Sequence, residues 1–143
     1  MIIENTVFIH ADPSIVWQYL TKPDLMKKWM GEPAMEIDIQ TDWTIGKAIT
    51  IKGFHHLPFE NKGIVLQFEP NQVLQYSHLS SLSRLANTNE NYAIVTFNLQ
   101  PNQAETLLTV KIENFPTETI FKHLNLYWRT TTVMIKKIVE AGV

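Results

Sequence analysis

The order of hydrophobic periodicities along the chain limits its fold more than any single residue does. Residues 2–10 alternate, with Ile3, Asn5, Val7 and Ile9 on one face, the period of a strand. Asp12-Pro13 then supplies a helix cap and a first-turn proline. Two short helical pieces follow, one with Val16, Trp17 and Leu20 on a shared face, the other with Leu25, Met26, Trp29 and Met30 at helical spacing. Lys22-Pro23-Asp24 separates them, and Gly31 and Pro33 end the second. Strands are expected at 35–40, 47–54, 63–69, 73–79, 92–100 and 106–114, with turns at 42–46, Pro70-Asn71 and Pro101-Asn102. This spacing suits an antiparallel sheet of hairpins. Residues 80–91 are polar and without period, and read as a mobile loop.

A last helix is expected after Pro116, carrying Phe121, Leu124, Trp128, Ile135 and Ile138 at spacings of three, four and seven. Thr131 interrupts that stripe. It lies in Thr130-Thr131-Thr132-Val133, four β-branched residues with poor intrinsic helix propensity, so packing must hold the segment helical.

At 143 residues the chain is expected to be one domain, 1–143, large enough to bury roughly 68–70% of its unfolded surface. A net charge of −2 offers no electrostatic footprint for nucleic acid or an anionic membrane. The absence of cysteine removes disulfides, thiolate nucleophiles and cysteine-bound zinc. The first residues lack the basic and apolar regions of a signal peptide, and no apolar run is long enough for membrane insertion, so a cytoplasmic protein is expected.

Several segments match one pattern over nearly the whole chain: Asp12-Pro13 ahead of Trp17, then Leu20-Thr21-Lys22-Pro23 and Trp29; the turn from Asp42 to Gly46; Gly63-Ile64-Val65 with Pro70 and Leu74-Gln75-Tyr76; and Trp128 in the late helix. Together they resemble the family named for the C-terminal domain of the activator of the heat-shock-protein-ninety ATPase, within the START-like (SRPBCC) superfamily. Thr44 and Lys47 replace an arginine and a glycine common in the family's turn, and His78 stands where a tryptophan is frequent. The resemblance implies an α+β helix-grip fold: a curved antiparallel sheet around a long C-terminal helix, with two short N-terminal helices closing one end. It also implies a cavity between sheet and helix, used by some members for hydrophobic ligands, by others for cyclase or hydratase chemistry. Others stimulate a chaperone ATPase.

By strand alternation, Ile49, Ile51, Tyr76, His78, Val95, Phe97, Val110 and Ile112 face that helix. Phe121, Leu124, Trp128 and Thr131 answer from the helix side. An apolar stripe at this spacing fills a core as readily as it lines a pocket; Tyr76, His78 and Thr131 are the polar groups that point to a ligand site. His55-His56 is not expected to hold a metal, because neighbouring strand residues face opposite ways. Ser77-His78 fails as a nucleophile pair for the same reason, and Glu60 and Glu113 read as outward, solvated charges. His123 belongs with the solvated helix face. The resulting expectation is non-catalytic binding of a small hydrophobic molecule with no cofactor and no metal. A chaperone-regulator role through a protein partner and a cyclase-type enzyme are the alternatives.

Overall fold

In the computed structural model, which describes residues 1–143, the elements run β1 (Ile2–Ile9), α1 (Pro13–Thr21), α2 (Pro23–Met30), β2 (Asp38–Gln40), β3 (Ala48–His55), β4 (Leu57–Glu69), β5 (Val73–Ser80), β6 (Ala93–Asn102), β7 (Glu105–Glu113) and α3 (Glu118–Ala141). The strands form one sheet in the order β1-β7-β6-β5-β4-β3-β2, antiparallel throughout. The strands from β2 to β7 are thus a meander, and β1 returns to pair with β7. This is the α+β helix-grip arrangement expected from the sequence, with α3 held against the concave face.

Alternation explains which residues meet α3. On β7, Thr106, Leu108, Val110 and Ile112 are all buried while their neighbours are half-buried on the other face. Ile3 and Ile9 of β1, Leu74 and Tyr76 of β5, and Val95 and Phe97 of β6 continue the same surface into one buried cluster. Thr131 is buried with it, so the threonine interrupting the helical stripe still faces inward.

The helices start where the sequence supplies a cap. The Asp12 carboxylate accepts from Ser14 N–H at 3.0 Å, and Thr117 Oγ1 accepts from Ile120 N–H at 3.1 Å. The end of α1 is less ordinary. Continuing the helix would require an N–H from residue 23 for the Tyr19 carbonyl, and Pro23 has none. Trp29 Nε1 donates to that carbonyl instead, at 2.8 Å. Leu25 N–H turns to Lys22 as α2 begins, and Trp43 Nε1 donates to the Thr21 carbonyl at 2.7 Å. Two indoles therefore satisfy two orphaned carbonyls and fix α2 and the turn before β3 onto α1.

At its C-terminal end α3 is tied to β1. The Lys136 ammonium donates to the Phe8 carbonyl and pairs with Glu140 at 2.8 Å, and Glu140 accepts from His10 N–H at 2.9 Å. These two donors hold the Glu140 carboxyl below its ordinary range, the His10 amide contributing most. No helix is long and apolar enough to cross a membrane.

Two local expectations are corrected. Residues 35–37 are not strand: Pro33–Met35 is a single 3-10 turn, and Glu36 at φ 48° turns the chain before β2. Strand β4 begins at Leu57 rather than at residue 63, because the tight turn at His56 pairs Leu57–Gly63 back along β3 despite Pro58 and a weak alternation. The stretch 80–91 contains two short 3-10 turns, Ser81–Ser83 and Asn89–Asn91, and is braced by its own side chains, among them Asn91 Nδ2 to the Ala86 carbonyl at 2.9 Å.

If the indole bond to Tyr19 secures the end of α1, Trp29→Phe should lower stability by about 1–3 kcal/mol, since it leaves a buried carbonyl unpaired while keeping an aromatic ring. Urea unfolding checks this; a loss below about 0.5 kcal/mol would show that the carbonyl needs no such partner.

Candidate functional site

Aromatic rings fill one end of the space under α3. Trp17 lies 5.2 Å from Phe68, Phe68 stacks on Trp43 at 5.8 Å, and Trp43 reaches Tyr76 at 6.4 Å. Tyr76 continues to Phe97 at 6.2 Å, and Phe97 meets Trp128 at 5.7 Å and Trp29 at 6.2 Å. This unbroken series is packed core. Ile49, Ile51, Tyr76, Val95, Phe97, Val110, Ile112, Leu124, Trp128 and Thr131 are all buried, as alternation places them, and Phe121 is half-buried against Phe115, 4.9 Å away.

The packing loosens beside His78. In the sheet register His78 is opposite Ala93 on β6, and the β4–β5 pairing puts Gly63 opposite it on the other side. At Gly63 the strand runs so close to β5 that a Cβ would fall 1.7 Å from the Ser77 carbonyl oxygen, so only glycine fits. His78 is therefore flanked by a residue with no side chain and one with a methyl group. A shallow crevice remains, lined by Ile49, Ile51, Asn61, Lys62, Tyr76, Ser77 and His78 and too narrow for a water molecule. Phe54, Leu57 and Leu82, on the hairpin end and turn beyond it, are about half-exposed apolar side chains.

Neither the Tyr76 hydroxyl nor the His78 imidazole has a hydrogen-bond partner within the chain. Burial holds His78 down at about 4, and His123, reaching over from α3, acts in the same direction. Burial pushes the Tyr76 hydroxyl well above its ordinary value, with Tyr127 adding to the effect. Tyr127 is about one-third exposed; burial raises its hydroxyl, a hydrogen bond with Thr131 opposes, and the hydroxyl donates to the Met30 carbonyl at 3.2 Å. At neutral pH His78 thus offers one N–H donor and one bare nitrogen, next to a protonated phenol.

Tyr127, Asn61 and Ala93 were not singled out by the sequence reading, Gly63 only as part of a strand motif, and His123 is exposed, as its place on the solvated helix face implied. His123, Tyr127 and Thr131 are spaced four apart, a helical seam visible in the sequence; that it runs beside Tyr76 and His78 follows only from the fold. Ser77 Oγ accepts from Ile64 N–H at 2.9 Å on the opposite face of β5, away from His78. His55 and His56 differ from expectation. His56 has φ 64° in the turn, so the two rings meet edge to face at 4.7 Å instead of pointing apart. No third ligating side chain joins them, and the chain has no group of three or more such residues. A larger, open depression lies at the other end of β5, with Asp12, Ser14, Asn71, Gln72, Asn98 and Gln100 on its walls.

Residues 10–140 match the family described as Activator of Hsp90 ATPase homolog 1-like protein. The chain belongs to that family. Similar solved structures include a protein of Cytophaga hutchinsonii, 31% identical, with a TM-score of 0.81 over 99% of this chain and 95% of that one. A protein of Chromobacterium violaceum shares the fold at 18% identity and TM-score 0.83, covering 97% and 96% of the two chains. The Aha1 dimer of Colwellia psychrerythraea does so at 23% identity and TM-score 0.78, over 99% and 98%. Among curated proteins none matches the sequence. Within this Aha1-like family frame, the packed aromatic end and the crevice beside His78 are features of the present chain's own residues.

The depressed His78 value has a stability consequence. Between about pH 6.5 and about pH 4 the unfolded chain takes up a proton that the folded chain refuses, so stability falls as pH drops through that window. The wild-type chain should lose about 1–3 kcal/mol between about pH 7 and about pH 4.5 in urea melts, and His78→Gln should lose distinctly less. Equal losses in both would show that His78 titrates normally in the folded chain.

Proposed function

We propose that this Aha1-like chain binds a small hydrophobic molecule, without catalysis, in the space between the β3–β5 half of the sheet and the N-terminal half of α3. The observation that carries this reading is the unpartnered pair Tyr76 and His78, set in an apolar wall beside a crevice. Both side chains can hydrogen-bond and neither does so within the chain, so a ligand's polar end would find partners there.

Entry requires movement, because the crevice is closed to water. The attachments of α3 favour it. From Trp128 onward the helix buries Trp128, Thr131, Thr132, Ile135 and Val139 and is bound to β1, whereas its first ten residues bury Leu124 alone. Against β3, β4 and β5 the helix has few contacts. Lifting this end would extend the crevice along Phe121, Leu124, Ile49 and Ile51, where apolar burial contributes about 25 cal/mol per Å² before ordering costs. The cytoplasm is the compartment we assign to this activity.

A second reading follows from the family description: regulation of a chaperone ATPase through the outer surface. Leu126, Val133 and Met134 stand exposed on the outward side of α3 and favour it. A cyclase-type reading lacks its acid or base, since Glu60 and Glu113 alternate to the opposite face of the sheet from His78.

An apolar fluorescent probe should gain emission on mixing with the folded chain, and Ile51→Phe, which fills the crevice wall, should weaken its binding about tenfold or more while thermal melts stay cooperative. Undiminished binding in the folded variant would move the site elsewhere.

A further inference from the structure

Resting on that binding reading, we propose that the crevice beside His78 receives the carboxylate end of the apolar ligand. The groups that face it are mostly donors. Tyr76 and His78 stand two residues apart on one face of β5, so both point into the crevice. Asn61 on β4 adds an amide, Gly63 and Ala93 leave the room, and Ile49 and Ile51 on β3 are apolar. From α3, His123 is near enough for its charge to act on His78, and Tyr127, near Tyr76, has its proton already given to Met30.

Every full charge these groups can carry near neutral pH is positive. His78 gains charge only by taking up a proton, and Lys62, though its strand borders the crevice, alternates with Glu60 to the other face. The carboxylates of the neighbouring elements are turned away or engaged: Glu60 and Glu113 alternate to the other face, Glu113 lies 3.5 Å from Lys111, and Glu118 lies 3.5 Å from Lys122. Such a site repels a cationic end and leaves a neutral one without any charge to meet. An anionic end removes both penalties on His78, since it compensates its desolvated charge and offsets the field of His123.

Proton balance gives the signature. Free His78 is neutral at pH 7 and a free carboxylate is ionised; brought together in a dry crevice they share one proton taken from solvent. Binding therefore takes up a proton, and affinity rises as pH falls toward the ligand's own pKa, by at most tenfold per unit.

The test is calorimetric titration of the full chain with decanoate, below its micellar concentration, and with decanol, at about pH 8 and about pH 6 in buffers of different ionisation heat. Decanoate should tighten several-fold at the lower pH with net proton uptake, while decanol binds independently of pH. His78→Gln should abolish the uptake and bring decanoate close to decanol, and the exposed His123→Gln, a surface change, should reduce the pH dependence in part. Decanol binding as tightly as decanoate, with no proton uptake, would overturn the carboxylate assignment and leave the hydrophobic site intact. Failure of both ligands to bind the folded chain would overturn the site itself, and this inference with it.

Discussion

Two carbonyl groups at the end of α1 must find donors, and the rest of the arrangement depends on how they do. Pro23 removes the N–H that would have served Tyr19, and the restart of the helix at Leu25 removes the one that would have served Thr21. A helix end buried without partners would be costly. Trp29 and Trp43 supply the donors from two different segments, so the same hydrogen bonds that finish α1 also fold α2 back on it and bring the turn at 42–46 against it. Once those indoles are placed, their rings have no freedom left, and the series through Phe68, Tyr76, Phe97 and Trp128 packs around them.

This sets an asymmetry under α3. Where the tryptophans converge, the interior is solid, and the C-terminal half of the helix is further held through Lys136 and Glu140 to β1. Toward the hairpin end of β3 and β4 there is no such filling. Gly63 and Ala93 leave His78 without bulky lateral neighbours, and the first turns of α3 bury Leu124 fully but Ile120 and Phe121 only in part. The candidate site lies where the aromatic packing stops. Its polar groups stay neutral because burial disfavours their charged forms.

Much of the fold was legible because it rests on local periodicity: the alternation of β1 and of β5 to β7, the Asp12-Pro13 helix start and the stripe of α3 all carry through. Two segments misled. Residues 57–62 lack clear alternation and contain Pro58, yet pair along β3 because the turn at His56 leaves them nowhere else to go. Residues 35–37 look strand-like but follow Pro33, which nucleates a turn. Of the site, Tyr76, His78 and Thr131 could be found from alternation and helical spacing. The space beside His78 could not, since it depends on Gly63 and Ala93 meeting His78 across strands, a matter of register. His123 is exposed, as the solvated helix face implied, and only the crossing of α3 over β5 brings it near His78.

The central claim is that α3 is firmly held at its C-terminal half and loosely held over Tyr76 and His78. Residue-resolved hydrogen exchange measures this directly. The account predicts that amides of residues 121–127 exchange through local opening, at least about a hundredfold faster than those of 132–139, which should exchange only with global unfolding. Uniform protection along the whole helix would contradict it, for the end of α3 over the crevice would then open no more readily than the core.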